Sequence, residues 1–263
     1  MTALGGLAGL VVLLAALPVI GGTWSSQAVL LGVISGVSGS LAIVLLYACL
    51  AIGPMSILSP LTAVVSALVP MLAGVVRGER LHSMAYIALV LALVAVVLVG
   101  FVPEKGAVRP SLKALAMAVA SGALIGVFLI VIDLTPADSG LVPLVVNRAV
   151  NATVMFSVVA IIRLVGRSCS RRPVTDGRVL TIDRGWRPGL VLAIVGGVVD
   201  ATANVLLLLG LRLGELTVQS VLTALYPAGT IILAAVVLKE RIAPVQIVGL
   251  VLALVAAAML AIA

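Results

Sequence analysis

Apolar residues run along this chain in blocks of about twenty, separated by short stretches of glycine, proline and charge. A helix needs about 20 apolar residues to cross a bilayer, whereas a barrel strand needs about ten of alternating pattern. The blocks fit helices. Nine are predicted, over 3–21, 28–51, 56–76, 84–101, 112–132, 141–164, 188–211, 217–238 and 243–263. The breaks carry turn or charge signals: Gly21-Gly22, Gly53-Pro54, Arg77-Gly78-Glu79-Arg80, Pro103-Glu104-Lys105-Gly106, and Thr135 to Gly140. One connection, 165–187, is longer and rich in arginine. The expected fold is an all-α integral membrane protein with nine transmembrane helices. The segment 3–21 is read as a span, because no charged residue precedes it, the alternative being a cleaved signal peptide.

The second half of the chain repeats the first. Ser59-Pro60-Leu61-Thr62-Ala63 answers Ser220-Val221-Leu222-Thr223-Ala224, and Gly78-Glu79-Arg80-Leu81 answers Lys239-Glu240-Arg241-Ile242. Leu89 to Ala95 recurs letter for letter as Leu250 to Ala256. One offset aligns 29–101 with 190–262 without a gap, with roughly a third of positions identical, which marks an internal duplication. The expected units are 1–102 and 112–263, joined by a linker at 103–111. Matching helices lie five spans apart, an odd number, so the copies face opposite ways across the membrane. Such inverted-topology repeats are a common architecture of secondary transporters. The first copy has four helices and the second five. The equivalent of 112–132 would lie before Met1. We expect a start upstream of Met1, the alternative being a missing helix.

Composition agrees with lipid as the solvent. The chain is 63% hydrophobic and 10% charged, against about 45–50% and about 25% in soluble domains. The net charge of +7 sits in the connections, where positive-inside topology and anionic lipid explain it better than nucleic acid. No nucleic-acid partner is expected. Cys49 lies in a span and Cys169 in a basic connection, so neither a disulfide nor a Cys/His metal site is expected. Zinc-protease, phosphate-loop and nucleophile-elbow motifs are missing, so no catalytic residue, metal ligand or cofactor is assigned.

The second copy also carries an ordered series: Leu225-Tyr226-Pro227, an apolar stretch, Lys239-Glu240-Arg241-Ile242, then Gln246 and Gly249. In this series, and in Gly78-Glu79-Arg80-Leu81, the chain resembles the drug/metabolite transporter superfamily, EamA type, whose members have two five-helix repeats. It departs where the family places a proline thirteen residues before the Glu of the first copy: Ser66 stands there, and the proline is Pro70. The resemblance implies two EamA-like units and transport of small organic solutes, often export, without ATP hydrolysis. It also implies a multi-pass location in the cell (plasma or inner) membrane and a cytoplasmic C-terminus.

Polar groups inside lipid are costly and mark either function or a structural partner. Asn147, Arg148 and Asn151 fall in one predicted span, and Asp200 and Asn204 in the next. Asn147 and Asn151, four apart, share a helix face, as do Asp200 and Asn204. A charge at the centre of a span costs about 2.5–3.5 kcal/mol on insertion scales, and an Arg148–Asp200 pair would offset both. The cluster reads as a wall of a substrate cavity, with Asp200 as a proton or cation site, or as an ion pair joining two helices. Tyr226-Pro227 sits mid-span, where proline removes a backbone hydrogen bond and kinks the helix. The kink reads as a gate or cavity wall, or as plain packing. Tyr47, Ser59, Ser121 and Gln219 are weaker cavity candidates, each also fit to bond helix to helix. Glu79-Arg80 and Glu240-Arg241 lie at span ends and read as helix caps, and His82 as a surface residue. The pairs Gly5/Gly9, Gly32/Gly36, Gly122/Gly126 and Gly210/Gly214 permit close helix contact and read as internal packing.

Positive charge favours one set of connections, holding Lys105, Arg109, Lys113, the arginines from Arg163 to Arg187, Lys239 and Arg241, over the other, holding Arg77, Arg80 and Arg212. Positive-inside then places the C-terminus outside, opposite to what the resemblance implies. The expected activity is secondary transport of a small organic solute by alternating access, with proton or cation coupling at Asp200. A passive channel or facilitator and a non-transporting membrane scaffold are the rivals.

Overall fold

A computed structural model of the chain describes residues 2–79, 81–100, 110–169, 186–233, 235–236 and 243–262. Arg80, most of the linker, the arginine-rich 170–185 and the Glu240-Arg241 pair lie outside the described residues. The described chain is helical and contains no strand. Its helices are α1 (Thr2–Ile20), α2 (Ser26–Ile52), α3 (Met55–Val76), α4 (Ser83–Gly100), α5 (Leu112–Asp133), α6 (Val142–Cys169), α7 (Trp186–Leu213), α8 (Leu216–Ala224), α9 (Tyr226–Leu233) and α10 (Pro244–Ile262). A 3-10 turn, Ala137–Ser139, precedes α6.

Among the described residues six segments are long and apolar enough to cross a membrane: Ser26–Ile52, Ile57–Val76, Ser83–Gly100, Leu112–Asp133, Gly189–Leu213 and Leu216–Leu233. Three further apolar helices are shorter: Leu4–Ile20, Val142–Val158 and Pro244–Leu260. The span expected as one helix over 217–238 is two, broken at Leu225 between α8 and α9. Pro227 has no N–H to continue the ladder, and the Leu225 N–H turns to the Leu222 carbonyl at 3.2 Å.

The helices sort into two compact units that are not consecutive in sequence. Unit 1 comprises Met1–Ser40 and Thr135–Leu206, and unit 2 comprises Leu41–Leu134 and Leu207–Ala263. In unit 1, α1 packs on α6. A methyl on Gly5 or Gly9 would meet the α7 backbone, 3.2 Å from the Ala193 carbonyl oxygen or 3.1 Å from that of Gly197. Gly32 and Gly36 of α2 lie as close to Val146 and Val150 of α6, both 2.8 Å from such a methyl. Lipid tails are as apolar as leucine, so helices associate through close packing and small residues let backbones approach.

In unit 2, α3 packs on α5, α8 and α4, and α4 packs along α10. The α4 and α10 segments are those whose seven-residue runs are identical. Their core is built from small residues, with Ala63, Ala67, Ala88, Ala92 and Ala256 fully buried. Gln246 bonds α10 to α4, donating to the Val99 carbonyl at 3.3 Å. Gly122 of α5 lies close against the α3 backbone, because a methyl there would stand 2.6 Å from the Thr62 carbonyl oxygen. Backbone cannot rotate away as a side chain can. Gly122→Val is therefore expected to cost at least the about 1–3 kcal/mol typical of overpacking, read as a lowered melting temperature in detergent. Gly196→Ala is the control, since nothing lies within 4 Å of a methyl there.

The end of α3 forms a Schellman turn. Gly78, at φ 91°, donates to Val75, and Glu79 donates from its backbone to Gly74. The turn aims the Glu79 carboxylate at the start of α8, where it accepts from the backbone N–H groups of Leu216 and Thr217, both at 3.0 Å. The Thr217 hydroxyl donates to the Met71 carbonyl of α3 at 3.3 Å. Gly74 leaves room for this junction, since a methyl there would clash with both Glu79 and Thr217. Glu79 does cap a helix, but one from the other copy of the duplication.

Candidate functional site

Unit 1 brings the two polar stretches together. α6 offers Asn147, Arg148 and Asn151 about one and a half to two and a half turns inside its start, and α7 offers Asp200 and Asn204. Asp200 stands at the middle of the 28-residue α7, about 21 Å along its axis. Arg148 and Asp200 form an ion pair, Nη2 to Oδ2 at 2.5 Å. The partners differ in environment: the Arg148 side chain is 11% exposed and that of Asp200 is 56% exposed. Asn204, one turn on, donates its amide to the Asp200 carbonyl at 2.8 Å and reaches the Asp200 Oδ1 at 3.4 Å. Arg148, Asp200 and Asn204 thus form one cluster with the cation enclosed and the carboxylate open.

Asn147 is occupied differently. It is 6% exposed and donates Nδ2 to the Ser35 hydroxyl of α2 at 2.9 Å, while Ser35 donates to its own helix at the Gly32 carbonyl. Asn147 therefore ties α6 to α2. Asn151 is half-buried, its Oδ1 beside Gly6 of α1, 3.9 Å from where a methyl would stand.

The other candidates belong to unit 2. Tyr226 opens α9, is half exposed and hydrogen bonds with the Ser59 side chain of α3. Pro227 beside it is buried. Ser121 is fully buried and donates to the Ala42 carbonyl of α2 at 2.8 Å. Gln219 packs its amide against Gly210. Tyr47 is 59% exposed on α2. Ser121 thus serves as a helix-to-helix bond.

Ser35 was missed by sequence reasoning. A single serine in an apolar run gives no signal, because its hydroxyl can bond its own helix. Asp138, in the 3-10 turn before α6, is held in place: its carboxylate accepts from the Thr23 hydroxyl at 2.7 Å and its carbonyl from the Thr23 N–H at 2.9 Å. Asp133 pairs with Arg77, joining the ends of α3 and α5 at 2.7 Å. Among the described residues no group of three or more His, Cys, Asp or Glu is placed to hold a metal ion.

The model of the EamA-like transporter family matches residues 112–262. No curated protein matches the chain. A solved crystal structure of a protein shares the fold at a TM-score of 0.68 and 18% identity, covering 99% of this chain and 87% of that one. At that identity the likeness concerns the fold.

Proposed function

Since the chain belongs to the EamA-like transporter family, a family of membrane transporters, we propose that it moves a small organic solute by alternating access, without a chemical step, and that export is the direction. The observation that carries the reading is the carboxylate of Asp200, open at the midpoint of a transmembrane helix. A charge facing hydrocarbon there would be costly, and intramembrane charges face the bundle interior or a water-filled cavity. Asp200 thus lines an aqueous path, with Arg148 behind it holding its charge in place and Asn204 beside it. A cationic group of the solute, or a proton or cation that drives transport, meets this carboxylate. Asn147 and Asn151 support the wall from α6, and the Tyr226–Pro227 break lets one helix bend where a gate is needed.

Two inverted units and nine spans are the architecture we propose for this motion. The six long apolar segments and the three shorter apolar helices among the described residues support that reading. Equivalent positions also do equivalent work: Gly36 of α2 takes the close approach to α6, and its counterpart Gly197 of α7 takes that to α1. The cell membrane is the proposed location.

The test is flux into liposomes holding the purified protein, across amino acids, nucleosides, amphipathic cations and sugars, with melting temperature as a second readout of binding. A saturable flux and a ligand-induced rise, both lost in Asp200→Asn, are expected. Flux without saturation would mean a passive facilitator. No flux and no rise with any class, in a protein that melts cooperatively, would mean a scaffold.

A further inference from the structure

The exposed side of the Arg148–Asp200 cluster is made of hydrogen-bond acceptors. The Asn204 Nδ2 donates to the backbone carbonyl of Asp200 at 2.8 Å. A carbonyl only accepts, so this bond fixes which end of the amide faces Asp200. The Asn204 Oδ1 is left as an acceptor, and among the described residues nothing donates to it. The Asp200 carboxylate, 56% exposed, is the other acceptor. The donors of the cluster are already engaged: the Asn204 amide on Asp200, and the enclosed Arg148 guanidinium on the same carboxylate.

The two acceptors suit a single nitrogen. The Asn204 Nδ2 lies 3.4 Å from the Asp200 Oδ1. The oxygen and nitrogen of an amide are about 2.3 Å apart, so the two acceptor oxygens are separated by no more than about 5.7 Å. One N–H···O bond spans about 2.9 Å, and one nitrogen can therefore reach both. The helix leaves room for it. Gly196 and Ala203 lie one turn to either side of Asp200 on the same face, and both are exposed. Nothing stands within 4 Å of where a methyl on Gly196 would be.

Charge alone does not define the ligand. Arg148 stands 2.5 Å from Asp200 and cancels much of its attraction for a cation that cannot hydrogen bond. What is left unmet is directional, the lone pairs of the two oxygens. A hydroxyl brings one donor and lone pairs of its own, whereas a protonated primary or secondary amine brings two or three N–H donors and no acceptor. Its bonds to a carboxylate are also charge-assisted, roughly twice as strong as neutral ones. We propose that the cluster binds a protonated primary or secondary amine of the solute, one N–H on Asp200 and a second on Asn204. Asn204 is then the residue that selects N–H-bearing cations over quaternary ammonium ions. The inference rests on the reading of Asp200 as lining an aqueous path, and names the class of solute that meets it there.

The experiment titrates the full chain in detergent with butylamine, butyltrimethylammonium and 1-butanol, reading melting temperature. Butylamine is expected to bind roughly tenfold more tightly than the other two, the ratio that one hydrogen bond to a charged group supplies. Asn204→Leu should cut butylamine affinity roughly tenfold and leave butyltrimethylammonium unchanged. A purely structural role for Asn204 would move both alike or neither. Gly196→Leu, which grows into open space, should melt like wild type without ligand and lose the butylamine rise. No rise with butylamine overturns the proposal, as does an equal rise with butyltrimethylammonium or 1-butanol. So does a preference that survives Asn204→Leu, or a full rise in Gly196→Leu. Asp200-dependent flux of a solute that carries no amine would overturn this inference and leave the transport reading standing. The expected preference without butylamine flux into liposomes would support this inference and count against transport.

Discussion

Asp200→Leu is expected to abolish transport and to destabilise the protein more than Arg148→Met does. The asymmetry follows from exposure. Removing Asp200 strands a guanidinium whose side chain is 11% exposed, and breaking a buried pair from one side costs about 3–5 kcal/mol. Asp200 is more than half exposed, so solvent already screens the pair and about 2–3 kcal/mol is the realistic figure. Removing Arg148 strands a carboxylate that is open and still has the Asn204 amide nearby, which costs about 1 kcal/mol. The double variant should recover much of the loss, because neither charge is left alone. Melting temperatures of the four proteins complete a double-mutant cycle, and flux measured on the same four separates the roles. A double variant that is stable but inactive assigns the pair to transport. One that transports as wild type shows that the pair only joins α6 to α7.

Glu79→Ala is expected to destabilise unit 2 strongly. The carboxylate is the acceptor for two backbone N–H groups that the start of α8 cannot pair internally. Hydrogen bonds to charged groups contribute about 1.5–3 kcal/mol, and an anion at a helix N-terminus adds about 0.3–1 kcal/mol. A net loss of about 2–3 kcal/mol is expected, read as a melting temperature lowered by several degrees. Glu79→Gln keeps one side-chain oxygen and the shape but not the charge, and should fall between. If Glu79→Ala melts with the wild type, water satisfies the α8 N–H groups as well as the carboxylate does.

Much of this was legible in the residues, because in lipid each backbone group must be satisfied within its own segment and length alone identifies a span. α5 ends one residue from its predicted end, and α3 starts one residue before its predicted start. α6 is harder. It continues to Cys169, five residues past the predicted end at 164, since hydropathy marks where a helix leaves hydrocarbon and not where it unwinds. The Arg148–Asp200 pair was foreseeable from the cost of leaving either charge alone in a span. The Asn147–Ser35 and Tyr226–Ser59 bonds were not, because they join segments far apart in sequence through groups that could each have bonded locally. Nor does sequence show that the Glu79 motif of one copy serves a helix of the other. That requires knowing that α8 starts where α3 ends.

The interleaving of the two units sets the order in which the chain can acquire its structure. α1 is made well before its partners, since α6 does not begin until Val142 and α7, which covers Gly5 and Gly9, not until Trp186. At about 5–20 residues per second of synthesis, α1 waits on the order of ten seconds in the bilayer with Gly5 and Gly9 uncovered. In water such a delay would invite aggregation. In lipid the uncovered small-residue face is no less solvated than any other apolar surface, so a long-range topology that would be hazardous for a soluble protein carries little kinetic risk.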